Sequence, residues 1–444
     1  MVNKAASKAT SMITRQYKFV EYFSAVKYLE SLGNIGAGYQ KTDLSAHSHP
    51  EMFLERMQDF LDLLGNPEKS FKYIHITGTA GKGSVATAVH FELVKAGKKS
   101  GLFTSPFTVS TIEKIQVGDK YIDPVVFAKL TDSIKPVVDR MLLSGRHGAP
   151  SYFEMMLAIA LMYFNKEKCE YVVLEVGLGG SYDATNIIRK PTITAITNIS
   201  LDHTNILGST RECIAKDKAG IIKKGSEFFT TENDQKILKI FEEKCMGTGA
   251  KYHSINVHSV DYDVRNRLLV GSICQSLGIV NVAEEVGPLP SMPARFEIVE
   301  RSPLVIIDGA HNPSKISSTI VNLRKLKYRS LDLVVAVSAD KDWKEMLKLI
   351  APFARRIFAT RFSVPGRVSV NPKELFIEAK LVASKGCKVE LFADPVMAFD
   401  IARRTMNKSD VLLVAGSFYL AGDIRALYCP ESQILKNRDS KLHI

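Results

Sequence analysis

Tyr73 to Ala96 constrains this chain more than any other stretch, because a buried strand, a glycine-rich loop and a helix follow one another without a break. The apolar run Tyr73-Ile74-His75-Ile76-Thr77 leads into Gly78-Thr79-Ala80-Gly81-Lys82-Gly83-Ser84, and the sequence is helical in character from Val85 onward. Three glycines let successive backbone N–H groups turn towards an anion, while the helix N-terminus and Lys82 add positive potential. A nucleoside triphosphate held by residues Gly78 to Ser84 is the expected occupant. The spacing departs from the ordinary Walker A pattern, since Gly83 separates Lys82 from Ser84. A plain strand-to-helix turn would need neither the lysine nor the serine.

The rest of the chain repeats this order of elements. Amphipathic helices are expected over Tyr17 to Leu32 and Glu51 to Leu64. After the loop helix come a strand at Ser100 to Thr104, helices at Pro124 to Leu143 and Tyr152 to Phe164, and strands at Tyr171 to Val176 and Thr192 to Asn198. Strand, loop and helix in succession build a doubly wound parallel α/β sheet, with ligands at the carboxyl ends of its strands. A helix at Arg265 to Leu277 closes this part, and the turn-forming run Gly287-Pro288-Leu289-Pro290-Ser291-Met292-Pro293 marks a boundary. Beyond it, strands at Leu304 to Ile307, Leu331 to Val337, Arg356 to Thr360, Lys388 to Phe392 and Val411 to Ala415 make a smaller Rossmann-like α/β domain. The expected divisions are a flexible basic start at 1–16, a nucleotide-binding domain at 17–287, a hinge linker at 288–293, a second domain at 294–430 and a tail at 431–444.

Length supports two domains, because 444 residues exceed one comfortable core. A net charge of +12 raises the question of nucleic acid, but the lysines are scattered and no arginine-rich arm appears, so small anionic substrates are expected instead. The apolar stretch Met155 to Phe164 falls well short of the ~20 residues that cross a bilayer, so no membrane partner is expected. Six isolated cysteines without a CxxC pair point to a reducing, cytoplasmic setting. Residues 1–18 hold Lys4, Lys8, Arg15 and Lys18 and no acid, a faint transit-peptide character that a frayed basic terminus explains better. His47-Ser48-His49 has no third ligand nearby and reads as solvated loop.

Magnesium on a triphosphate needs oxygen ligands near the loop. Ser84 and Ser105 offer hydroxyls at that edge, and Glu154 is an acid at the start of an otherwise apolar helix. The glutamate could equally satisfy the helix N-terminus. His203, just past the strand ending near Asn198, is either a ligand or an interior histidine.

Taken in order, Leu64-Gly65-Asn66-Pro67, the loop itself, Phe103-Thr104-Ser105-Pro106-Phe107, Phe153-Glu154, Glu175-Val176-Gly177-Leu178-Gly179-Gly180, Asp183-Ala184-Thr185-Asn186, Leu201-Asp202-His203-Thr204, Lys218-Ala219-Gly220-Ile221-Ile222-Lys223, Pro293-Ala294-Arg295-Phe296-Glu297, Asp308-Gly309-Ala310-His311-Asn312-Pro313, Lys341-Asp342 and Gly416-Ser417-Phe418-Tyr419-Leu420 resemble the folylpolyglutamate synthase and dihydrofolate synthase family of the Mur ligase superfamily. The likeness runs from Tyr17 to Arg425.

That resemblance implies an ATP-dependent amide ligase acting on a reduced folate or dihydropteroate, L-glutamate and ATP through an acyl phosphate. Position by position, Ser105 and Glu154 match ligands of a first Mg²⁺, with Ser84 nearby, and His203 matches a ligand of a second. Lys218 matches the position of a carbamylated lysine, N6-carboxylysine, in related ligases. Asn266, Arg295 and Asp308 match ATP contacts, and His311 is placed for the nucleotide or the glutamate. A monovalent cation such as K⁺ is a further candidate, and a monomer is the implied state. Catalysis would require the two domains to close about the 288–293 linker. The sequence departs from the family at Ala80, where Asn is commoner, at Tyr262-Asp263-Val264-Arg265-Asn266, which lacks the usual glutamine, and at Phe107, a histidine in many members. Two rival readings remain: a cell-wall Mur ligase that uses a UDP-muramoyl acceptor, and a nucleotide-binding homologue without activity.

Overall fold

A computed structural model describes residues 19–32, 49–259, 261–280, 286–364 and 367–442. The basic start at 1–18 and His47-Ser48 lie outside the described residues. Contacts divide the chain into two compact units. The first runs to Phe107 and takes in Thr111–Ser259 and Asp263–Leu289; the second begins in earnest at Pro290 and takes in the short segments 108–110 and 260–262. The change of unit at Leu289/Pro290 falls inside the proline-rich stretch at 287–293.

In the first unit, helices α1 (Val20–Ser31) and α2 (Glu51–Leu63) precede strand β1 (Lys72–Thr77) and helix α3 (Lys82–Lys95). Strands β2 (Ser100–Phe103), β3 (Ile115–Val117) and β4 (Lys120–Tyr121) follow, then helices α4 (Pro124–Ser144) and α5 (Tyr152–Lys166). Next come β5 (Tyr171–Glu175), β6 (Ile193–Ile196), the short α6 (Thr204–Leu207), α7 (Arg211–Lys218), β7 (Glu227–Thr230), α8 (Gln235–Thr248), β8 (Lys251–Ser254) and α9 (Tyr262–Ser276). The sheet has the order β4-β3-β2-β5-β1-β6-β7-β8. It is parallel from β2 to β8, with β3 and β4 added antiparallel at one edge.

β1 lies between β5 and β6 in the middle of the sheet, and every residue of it but Lys72 is buried. Ile74 and Ile76 join Val85, Val89, Val270 and Ile273 in the core formed with α3 and α9. With a period of two, His75 and Thr77 point the other way. His75 Nε2 pairs with Thr185 Oγ1 at 2.8 Å, and Thr77 Oγ1 donates to Gly179 O at 2.6 Å. Burial pushes the His75 imidazole down to about 3, so it is neutral within the sheet.

The second unit holds β9 (Glu297–Arg301), β10 (Leu304–Ile307), α10 (Pro313–Arg324), β11 (Leu331–Val335), α11 (Trp343–Ile350), β12 (Ala354–Ala359), α12 (Pro372–Val382), β13 (Lys388–Leu391), α13 (Pro395–Arg404), β14 (Val411–Ala415) and α14 (Phe418–Arg425). Its sheet order is β13-β12-β11-β14-β10-β9, parallel except for the antiparallel β9–β10 pair. Ile316, Leu347 and Leu375 from α10, α11 and α12 cover one face, while Phe399, Leu420 and Ile424 from α13 and α14 cover the other.

No helix among the described residues is long and apolar enough to cross a membrane. No disulfide joins any of the six cysteines.

Candidate active site

The phosphate loop lies between β1 and α3. Gly78 has φ +148°, and a Cβ there would sit 1.9 Å from Thr197 Oγ1. Gly81 has φ +81°, and a Cβ there would meet the Asn266 amide nitrogen at 2.7 Å. Asn266 is therefore packed directly on the loop. Gly81 is the N-cap of α3 and offers no side-chain cap, so the first-turn amides are left to an external anion. Lys82 Nζ donates to Gly78 O at 3.0 Å.

Gly78→Ala is expected to force Thr197 and the loop apart, costing about 1–3 kcal/mol of stability and removing nucleotide binding. Thermal melts with and without ATP measure both effects.

Glu175 ends β5, in register with Ile76 of β1, and is buried. Its Oε2 accepts from the Ser105 amide at 2.9 Å. Its carboxylate oxygens lie 3.2 and 3.3 Å from where a Gly83 Cβ would be. The acid at the loop is thus Glu175, with Ser105 bonded to it and Ser84 one residue beyond Gly83.

The expectation for Glu154 needs correcting. It is the third residue of a capping box on α5, where its Oε2 accepts from the Ser151 amide at 2.6 Å. Both oxygens also face the guanidinium of buried Arg56, with Nε 2.9 Å from Oε2 and an Nη 3.0 Å from Oε1. A carboxylate already committed to an arginine and a helix end is structural.

Lys218, the last residue of α7, is 4% exposed. Burial and then the charge of Lys82 push its amine down to about 7, against the opposite pull of Asp217, Asp202 and Asp183. Asp183 holds the neighbouring glycine loop through the Leu178 amide at 2.9 Å. His203 has left-handed backbone, φ +50°, and its amide donates to Asp202 Oδ1 at 3.1 Å. It lies on the loop after β6, at the same carboxyl edge of the sheet.

In the second unit, Arg295 stands between two left-handed residues, Ala294 (φ +53°) and Phe296 (φ +47°). Glu297 accepts from the Ala294 amide at 2.9 Å and is paired with buried Arg425 at 2.7 Å. Arg425 in turn donates to Ser440 O at 2.5 Å. The Arg295 guanidinium lies 4.3 Å from the Phe418 ring centroid, and the His311 ring packs on the same phenylalanine at 5.5 Å. Asp308 accepts from Thr319 Oγ1 at 2.7 Å and from the Ala310 amide at 3.1 Å, and burial raises its carboxyl above the usual range. His311 Nδ1 donates to Gly309 O at 2.8 Å, leaving Nε2 to accept from Lys315 Nζ at 2.9 Å. Arg295, Asp308 and His311 therefore come together. Lys315, one turn into α10, is an addition that no motif announced.

Residues 76–280 match the Mur ligase middle domain, and residues 294–418 match the Mur ligase glutamate ligase domain. A dihydrofolate synthase/folylpolyglutamate synthase of Bacillus subtilis (strain 168) is 30% identical over 413 residues, covering 84% of this chain and 94% of that protein. The chain belongs to the folylpolyglutamate synthase/dihydrofolate synthase family. Among solved structures, a Mycobacterium tuberculosis folylpolyglutamate synthase complexed with ADP superposes with a TM-score of 0.80 at 25% identity, covering 92% of this chain and 98% of that one. The folylpolyglutamate synthase of Thermotoga maritima gives 0.73 at 27% identity, covering 95% and 98%. The two α/β units are therefore those of a Mur-type ligase of the folate branch.

Proposed function

We propose that the protein is an ATP-dependent amide ligase that joins L-glutamate to a folate substrate, a reduced folate or dihydropteroate. What carries this reading is the meeting of an uncapped phosphate-loop helix, the buried acid Glu175 and the low-pKa Lys218 at one sheet edge, in a chain of this family.

A carboxylate oxygen of the folate attacks the γ-phosphorus of ATP, and ADP leaves with the electrons of the broken bond. The amine of glutamate then attacks the acyl carbon, loses a proton and expels phosphate, leaving an amide. Like charges oppose the first step, so alignment and neutralisation dominate its barrier. Lys82 and the α3 amides hold the phosphates and take up the charge that moves to the leaving group. Asn266 packs on Gly81 and borders the nucleotide.

Glu175, Ser105 and Ser84 suit the oxygen coordination of Mg²⁺, with His203 and a carbamylated Lys218 serving a second ion. Bound there, Mg²⁺ supplies charge neutralisation on the phosphates. Lys218 fits carbamylation because its amine is substantially neutral near pH 7, as reaction with CO₂ requires. In the second unit, the cations Arg295 and Lys315 stand with neutral His311, a set suited to phosphate or to the glutamate carboxylates.

ATP hydrolysis or ADP formation that requires both a folate and glutamate, with product masses increased by glutamate units, tests the proposal. Turnover with a UDP-muramoyl acceptor, or ATP binding with no turnover on any acceptor, would overturn it.

A further inference from the structure

Two segments on the nucleotide side of the first unit have no ladder or helix of their own, yet hydrogen bonds hold them firmly. One is Asn198 to Ser200, after β6. The Thr79 amide donates to Asn198 O at 2.9 Å, and the Ala80 amide donates to Asn198 Oδ1 at 2.9 Å. Thr79 Oγ1 donates to Ser200 O at 3.1 Å and accepts from the Ser200 amide at 3.0 Å. The front half of the phosphate loop is therefore moulded on residues 198 and 200.

Ile199, between them, is buried in the core with Ile196 and Ile214 and is gripped at both ends of its polar backbone. Its amide donates to Glu232 Oε2 at 2.9 Å, and its carbonyl accepts from Arg211 Nε at 3.1 Å. Glu232, in the other segment, just past β7, is 6% exposed. Its Oε1 accepts from the amides of Asn233 at 2.9 Å and Asp234 at 3.2 Å and from Arg211 at 3.4 Å. Arg211 also reaches Asp234 at 2.8 Å. The Arg265 guanidinium donates to Thr231 O, and the next residue is Asn266, packed on Gly81. The hydrogen bonds thus run from the loop through 198–200 and 231–234 to Arg265, and the packing of Asn266 on Gly81 returns to the loop.

We infer that Glu232, together with Arg211, is a positioning pair for the phosphate loop: by holding Ile199 it keeps Asn198 and Ser200 where they shape Thr79 and Ala80 to receive a triphosphate. Both residues act through the backbone of Ile199. The carboxylate is needed for its charge and shape, because one oxygen must take the Ile199 amide while the other takes two amides and a guanidinium. A glutamine turned to keep one set loses the other. The inference rests on the reading of the loop as an ATP site.

The test compares Glu232→Gln and Arg211→Met with the unaltered full-length protein. Calorimetric titration with ATP and Mg²⁺ should show affinity about tenfold weaker in Glu232→Gln and weakened less in Arg211→Met, the size expected for a charged hydrogen bond. The KM for ATP should rise with it, while kcat stays within about twofold because nothing in contact with the reacting atoms has changed. Amide exchange should quicken in peptides spanning 73–84 and 196–203 and stay unchanged in 304–324. Unaltered ATP affinity in a folded Glu232→Gln protein overturns the inference, as does quickened exchange everywhere alike. Should Glu232→Gln fail to fold, unaltered affinity in Arg211→Met, whose side chain is 39% exposed, overturns it instead. Unaltered protein that binds ATP but never ligates glutamate would refute the proposed reaction and leave this inference standing.

Discussion

Glu175→Gln should nearly abolish ligation while the protein stays folded, and Glu154→Gln should do the reverse. Glu175 lies at the loop, bonded to the Ser105 amide, and a glutamine oxygen can keep that bond. What the substitution removes is the negative charge that would hold Mg²⁺ against the phosphates. A loss of about 10²–10³-fold in kcat is expected, with a higher Mg²⁺ requirement and little change in melting temperature. Glu154 and Arg56 have side chains only 3% exposed, so neutralising the acid strands a buried guanidinium. That costs about 3–5 kcal/mol of stability. The surviving folded fraction should keep the normal Mg²⁺ dependence. Magnesium titrations of activity and thermal melts of the two variants distinguish the roles; a raised Mg²⁺ requirement in Glu154→Gln would return the metal to that residue.

Lys218→Met should lower kcat by a similar about 10²–10³-fold if the carbamate supplies a metal ligand. The amine is held at about 7, first by burial and next by Lys82. Carbamylation consumes the neutral amine, so the modified and active fraction should grow as pH rises through 7. It should fall in CO₂-depleted buffer and return with bicarbonate. Intact-protein mass, read for the addition of one CO₂, follows the same change directly. Full activity in strictly CO₂-free buffer would rule the modification out. For the unmodified lysine, the unfolded chain keeps its proton up to about 10.5 while the folded one gives it up near 7. Over that window the unfolded state holds more protons, so stability increases with pH between 7 and 10.5. Below 7 the full penalty of burying the ammonium applies. Lys218→Met should flatten that dependence in pH-resolved melts.

Much of the fold could be read from the sequence because buried parallel strands announce themselves as short apolar runs. Tyr171 to Val176 was expected as a strand and is one over Tyr171–Glu175; Leu304 to Ile307 and Val411 to Ala415 match to the residue. The edge strands were harder to see. β3, β4 and β8 are short and only partly apolar, because an edge strand buries less and alternates weakly. α4 runs through Pro136, which read in isolation would break a helix.

The site was legible in its backbone motifs and less so in its acids. Gly78 and Gly81 are glycines for reasons of space and of left-handed φ, a demand that local sequence expresses directly. The roles of Glu154 and Glu175 depend on Arg56, 98 residues before one of them, and on the loop beside the other. A signal was nevertheless present. An acid closing an otherwise apolar, fully buried strand, at the end where ligands bind, has little structural reason to be there. An acid three residues after a serine at a helix start has an obvious one. Lys315, Arg211 and Glu232 left no such trace, since their partners meet only in the folded chain.

The bonds around Arg425 bear on how the protein is handled at the bench. Its guanidinium joins Ser440 O to Glu297, and Glu297 in turn secures the Ala294 amide beside Arg295. Trimming the gene just before codon 440, or fusing a purification tag directly after Asn437, would disturb an internal contact of the second unit. Recombinant versions altered in that way lose a support of the Arg295 segment with every motif intact.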